Sequence, residues 1–150
     1  MRDAVAAFDS LVGQYVAQLI RLVPLTRARK SKLENRRFQN LKMVADELKG
    51  IFDIDIVEGV KPEDIKFATI MFYRRHVYEH RGGEADEKYI AESGDTSVCP
   101  KQAIHETQES AHRIAGLVVK MASNLHRGFH ELMPADEGPI KQYQRWHSPA

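Results

Sequence analysis

Between Pro100 and Pro134 the apolar residues recur three and four positions apart almost without a break. Ile104, Gln108, Ala111, Ala115, Val118, Ala122, Leu125 and Phe129 keep this rhythm. Such spacing places side chains on one face of a helix with a period of 3.6 residues, which Pro100 is expected to open. A helix of this length cannot bury its stripe alone, so the rest of the chain must supply further helices or a sheet.

Three other segments carry the same signal. From Arg2 to Leu22, the residues Phe8, Leu11, Val12, Tyr15, Val16 and Leu19 form one stripe, and Pro24 follows its end. A second helix is expected to open at Ser31, where Ser31 and Glu34 fit a capping box. Phe38, Leu41, Ala45, Leu48 and Phe52 continue it, leaving Arg36, Arg37 and Lys42 mostly outside the apolar face. A third helix begins at Pro62, with Glu63 and Asp64 at the positive end of its dipole. Ile65, Ala68, Thr69 and Phe72 face its core side, and Gly82-Gly83 supplies the stop.

The connecting segments are less regular. Residues 54 to 60 read as a connection with at most a short extended piece. Residues 84 to 99 show no sustained period and read as a long loop. Beyond Pro134 the residues 134–150 hold two more prolines and the lone Trp146, and read as an exposed tail following a domain of residues 1–133. No strand with clear alternation is visible. The expected class is therefore all-α: an antiparallel four-helix bundle with a long loop between the third and last helices.

Composition narrows the function classes. A chain of 150 residues, 43% apolar and 29% charged, suits one soluble domain. Its formal net charge of +1 names no partner, but charge is unevenly spread. Seven basic residues (Arg27, Arg29, Lys30, Lys32, Arg36, Arg37, Lys42) face one acid, Glu34, between Arg27 and Lys42. A cluster of this kind can hold phosphates, meet an acidic partner, or simply form a solvated helix face. Between Glu79 and Asp95 six acids stand against Arg81 and Lys88. The single cysteine, Cys99, excludes a disulfide within one chain and fits a reducing compartment. Asp9, Gln14 and Gln18 interrupt the N-terminal apolar segment, unlike a signal peptide. No run approaches the roughly 20 apolar residues needed to span a membrane. A cytoplasmic location is expected.

The stretch "FYRRHVYEHRGG", residues 72–83, gathers most of the chemistry. On a regular helix Arg75 and Glu79 lie about 40° apart, one turn removed, as do His76 and His80. Arg75 and His80 lie about 140° apart, and converge only if the helix loosens near the glycines or a second subunit completes the site. His80 stands at the helix C-terminus, among unpaired carbonyls whose partial negative charge favours an imidazolium, and can serve as acid or base. Arg75 offers a planar, permanently charged fork suited to phosphate. An arginine and a histidine suffice to cleave RNA without metal. The base deprotonates the 2′-hydroxyl, which attacks the adjacent phosphorus, and the arginine stabilises charge on the phosphoryl oxygens.

Other chemistries leave weaker traces. His76-x-x-x-His80 is also a helical metal-ligand spacing, with Glu79, Asp86, His105, His112, His126 or His130 as conceivable further ligands. His126 and His130 form another such pair, and His105, His112 and His126 fall at multiples of seven along one flank of the last apolar stripe. A row of histidines beside a core is more often packing or a polar border. No His-Glu-x-x-His, paired Cys-x-x-Cys, di-iron Glu-x-x-His pair, nucleotide-binding glycine loop or nucleophile elbow occurs. No cofactor and no metal is expected.

The segment "RHVYEH", Arg75 to His80, resembles the Arg-polar-x3-His motif of the HEPN superfamily, with His76 in the polar position. The surroundings are similar too: an apolar helix leads in, "HRGG" follows, and an acidic "DEKYI" segment precedes the long last helix. The resemblance spans residues 30 to 130. It implies a dimeric all-α bundle with the motif near the dimer cleft, and Arg75, His76 and His80 in the catalytic positions. Glu79 lies outside the defining pattern and is retained as a partner for Arg75; Arg29, Lys30, Arg36 and Arg37 are the candidates for guiding RNA. Many members of that superfamily are metal-independent endoribonucleases of toxin-antitoxin, phage-defence or RNA-processing systems, leaving a 2′,3′-cyclic phosphate. Others only bind nucleotides or RNA, or dimerise within larger proteins. The resemblance thus implies a homodimer, RNA or a nucleotide as ligand, and a cognate antitoxin or a further domain as partner.

Overall fold

The computed structural model describes residues 2–35 and 40–147, and most of these are helical. Among the described residues seven helices follow in chain order: α1 (Arg2–Leu22), α2 (Arg27–Glu34), α3 (Leu41–Phe52), α4 (Pro62–His80), α5 (Glu87–Ser93), α6 (Gln108–Leu132) and α7 (Glu137–His147). Among the described residues the sole β pairing is an isolated antiparallel bridge between Glu84 and Ala103. No helix among them is long and apolar enough to cross a membrane.

The main core lies where α1 packs on α6 and α4, and where α3 and α6 pack on α4. Val5, Phe8, Val12, Val16 and Leu19 of α1 are buried there at the expected three-four spacing. They meet Val44, Leu48 and Phe52 of α3, Met71 and Phe72 of α4, and Ile114, Val118, Met121, Leu125 and Phe129 of α6. Phe8 and Phe72 join α1 to α4 edge to face, their centroids 5.9 Å apart, a favoured aromatic arrangement.

The connection from α3 to α4 is anchored rather than loose. Ile54 and Ile56 are fully buried. Asn124 of α6 donates from Nδ2 to the carbonyls of Ile56 and Glu58, at 3.0 and 2.9 Å. Gly128, one turn on, lets the chain come closer still: a Cβ there would lie 2.7 Å from Ile54 Cγ2.

The structure departs from several sequence expectations. The second helix is two helices. Ser31 is not a cap but lies inside α2, whose N-cap is Thr26, accepting from Arg29 N; α3 starts afresh at Asn40, whose side chain accepts from Met43 N. The capping-box pattern misleads because Thr26 offers an equivalent hydroxyl five residues earlier. Phe38, with Arg36 and Arg37, lies outside the described residues. The last helix begins at Gln108, capped by Thr107, and not at Pro100. Ile104 keeps the helical rhythm by coincidence: it is buried in a second, smaller core with Val77, Ala85 and Tyr89. His105 consequently stands outside α6.

The expected loop 84–99 contains α5, opened by Asp86, which accepts from Tyr89 N at 2.7 Å, and closed by Gly94 at φ 66°. Seven residues show too few turns for periodicity to register. Beyond Pro134 the chain forms α7, a helix that buries none of its residues and leaves Ile140, Tyr143 and Trp146 exposed.

Candidate functional site

α4 carries the candidate residues because its two ends are fixed by opposite devices. Pro62 occupies the first turn, where a missing amide hydrogen costs least, with Glu63 and Asp64 beside it. At the far end Val77 O accepts from Arg81 N at 2.8 Å and Gly83 N at 3.2 Å. Gly82 and Gly83 make this closure with φ of 62° and 86°, a region open to glycine. A Cβ on Gly83 would also lie 3.0 Å from the Tyr78 ring.

The helix stays regular to His80. Arg75 and His80 are therefore not brought together within one chain; they flank a strip about 140° wide, with Glu79 and His76 between them. Arg75 faces α1, where it pairs with Asp9. Its Nε also lies 3.0 Å from Glu79 Oε1, off the N–H axis, so that contact is an ion pair rather than a hydrogen bond. Burial pushes the Asp9 carboxyl up to about 6; the guanidinium opposes this shift without cancelling it, and Glu79 adds to it.

His76 and His80 lie ring to ring, 4.5 Å between centroids at a tilt of 55°. His76 Nδ1 is buried without a hydrogen-bond partner among the described residues. Burial, with the neighbouring His80 and Arg81, holds the His76 imidazole below its usual range, which favours the neutral ring. Glu79 and His80 are exposed.

The basic segment is only partly described. Arg29 and Lys30 are exposed on α2, with Lys30 3.9 Å from Glu34. Arg36 and Arg37 lie outside the described residues. Among the described residues no three His, Cys, Asp or Glu side chains form a group able to hold a metal ion.

Among the described residues, a tightly connected polar group lies outside the sequence candidates. Arg74, 8% exposed, points inward beneath the strip. Its Nη2 donates to Asp95 Oδ2 at 2.8 Å and Ser97 Oγ at 2.7 Å, its Nε to Asp95 Oδ2 at 3.0 Å, and its Nη1 to Glu106 Oε1 at 3.2 Å. Tyr89 donates its hydroxyl to the same Asp95 oxygen. Asp95 is buried, yet hydrogen bonds from Ser97, Tyr89 and Arg74 outweigh desolvation and hold its carboxyl down at about 2. Burial and the hydrogen bond to Asp95 push the Tyr89 phenol well above its ordinary range. This cluster ties α4 to α5 and to the segment before α6, fixing the backbone that presents Arg75 and His76. One sequence signal for it is the excess of acids after Gly83; Arg74 itself lies about 160° around the helix from Phe72, away from the expected core face, so its burial is set by the segments that follow α4.

The chain matches no protein-family model, no curated protein and no solved structure.

Proposed function

We propose that this is a HEPN-like domain acting on RNA, in which α1, α3, α4 and α6 are the four helices of an antiparallel bundle. In this reading two copies associate so that Arg75 of one and His80 of the other meet at one phosphodiester. The reaction is metal-independent cleavage in which the 2′-oxygen loses its proton and bonds to phosphorus as the P–O5′ bond breaks, leaving a 2′,3′-cyclic phosphate and a protonated 5′-hydroxyl. Arg75 contacts the phosphate, His80 transfers the proton, and the neutral His76 orients them or the substrate. Exposed Arg29 and Lys30 would guide the strand.

One observation carries the reading: Arg75, His76, Glu79 and His80 share one strip at the glycine-terminated end of α4, with Arg75 held in place by Asp9. Anchoring a guanidinium in this way limits its rotamers before a ligand arrives. The 140° separation of Arg75 from His80 within one chain is the reason a second copy is part of the proposal.

A second reading is favoured by the same anchor. Asp9 and Glu79 largely neutralise Arg75, which suits a module that binds RNA or nucleotide, or dimerises, without turnover. Incubation of the purified chain with structured and unstructured RNA in excess chelator separates the two. The nuclease reading expects cuts that persist in chelator and vanish in folded Arg75→Ala and His80→Ala. RNA binding without cuts, in every buffer, selects the second reading.

A further inference from the structure

We propose that His126 and His130, near the C-terminus of α6, form a chelate for a divalent transition-metal ion, separate from the α4 strip. The two rings are one helical turn apart, with centroids 4.4 Å from each other. Proximity alone would not single them out, since His76 and His80 are equally close. The difference lies in the second nitrogen of each ring.

A metal-ligating histidine almost always donates its other ring N–H to an oxygen, which fixes both tautomer and orientation. On α6 both rings have an oxygen at Nδ1: a carbonyl for His130, which can only accept, and a phenol hydroxyl for His126, which accepts when a ligand occupies Nε2. His126 Nδ1 is 2.7 Å from Tyr15 Oη, and His130 Nδ1 is 3.1 Å from the carbonyl of Met133. With the proton on Nδ1 in each ring, both Nε2 lone pairs are left for a ligand. On α4, by contrast, the His76 Nδ1 is buried with no hydrogen-bond partner among the described residues, so no such oxygen orients that ring.

The supports are themselves rigid. Tyr15 is locked edge to face against Phe129, 4.8 Å between centroids, so its hydroxyl is delivered from the α1–α6 interface rather than from a free side chain. The Met133 carbonyl belongs to the C-cap residue of α6, whose own N–H is fixed to Phe129 O at 2.8 Å. The unpaired carbonyls of a helix C-terminus add a field that favours a cation. His126 is exposed and His130 half-buried, so an ion can enter. Imidazole nitrogens suit Zn²⁺, Cu²⁺ and Ni²⁺ rather than Mg²⁺ or Ca²⁺. With two protein nitrogens, solvent fills the remaining positions, giving an open coordination shell.

The test is calorimetric titration of the untagged, chelator-stripped and desalted full chain with ZnCl₂, repeated with NiCl₂, in a buffer that does not coordinate metal. The expected result is one saturable ion per chain, abolished in His126→Gln and His130→Gln and unaffected by excess Mg²⁺. Tyr15→Phe, which keeps the ring packing, should weaken binding by about 10–100-fold. His76→Gln and His80→Gln should leave it unchanged. Absence of saturable binding, or binding that survives in folded His126→Gln, would overturn the site. Loss of binding in His76→Gln would move it to α4, against the proposal. Unchanged affinity in Tyr15→Phe would remove the role given to Tyr15. None of these readouts depends on RNA cleavage, so the result stands apart from the ribonuclease reading.

Discussion

Arg75 of α4 and Asp9 of α1 form a direct ion pair across the helix interface, and the Asp9 carboxyl nonetheless titrates at about 6. The pair holds the guanidinium in place at the expense of a poorly solvated carboxylate. A carboxyl whose folded pKa exceeds its unfolded value binds its proton more tightly in the native state. Stability from Asp9 is thus greatest below about pH 4 and declines as pH rises through about 6. Asp9→Asn imitates the protonated form. It should match the parent near pH 3.5 and exceed it at pH 8 by about 2 kcal/mol, read from urea midpoints at the two pH values. A variant less stable than the parent at pH 8 would show that the ion pair outweighs desolvation.

The Arg74 cluster should respond in the opposite sense. Removing one partner of a buried charge pair leaves the other uncompensated, typically at about 3–5 kcal/mol. Arg74→Ala should lose stability on that scale, while Tyr89→Phe, which deletes one hydrogen bond to a charged group, should lose about 1–2 kcal/mol. The Asp95 carboxyl, held down at about 2, contributes fully above about pH 4 and progressively less as pH falls towards 2. Denaturant melts of Asp95→Asn should show a flatter acid limb than the parent. An Arg74→Ala protein as stable as the parent would contradict the structural role given to this cluster.

Gly128 offers a packing test. Alanine is ordinarily the better helix former by about 1 kcal/mol. Here the added Cβ would press on buried Ile54, 2.7 Å from Cγ2 and 3.1 Å from Cγ1, and overpacking of this kind costs about 1–3 kcal/mol. Thermal unfolding of Gly128→Ala should give a lower Tm, and adding Ile54→Ala should cost less in that background than in the parent. Additive effects would place the 54–60 connection away from α6.

How far the sequence revealed this arrangement differs from element to element. The stripes of α1 and α6 and the glycine-closed end of α4 were legible because each repeats or terminates a helix over many residues. The split between α2 and α3 was not, since an apolar rhythm can bridge a break that only competing caps at Thr26 and Asn40 reveal. Ile104 fell on the helical rhythm but packs in the smaller core. At the candidate site, the strip order of Arg75, Glu79, His76 and His80 followed from 100° per residue. The partners could not be read, because Asp9 lies 66 residues before Arg75 and Asp95 lies 21 after Arg74. Contacts at such separations are set by tertiary packing, not by local spacing.

Mixing inactive variants tests whether Arg75 and His80 act on one phosphodiester from two different copies of the chain. Arg75→Ala and His80→Ala are each assayed alone on RNA in chelator, then unfolded together, refolded as an equimolar mixture and assayed again. Half of the randomly assembled dimers then pair the two variants, and each restores one of its two sites, so about a quarter of the parent activity should return. A mixture as inactive as its components, although shared dimers form, would show that Arg75 and His80 do not combine across two copies.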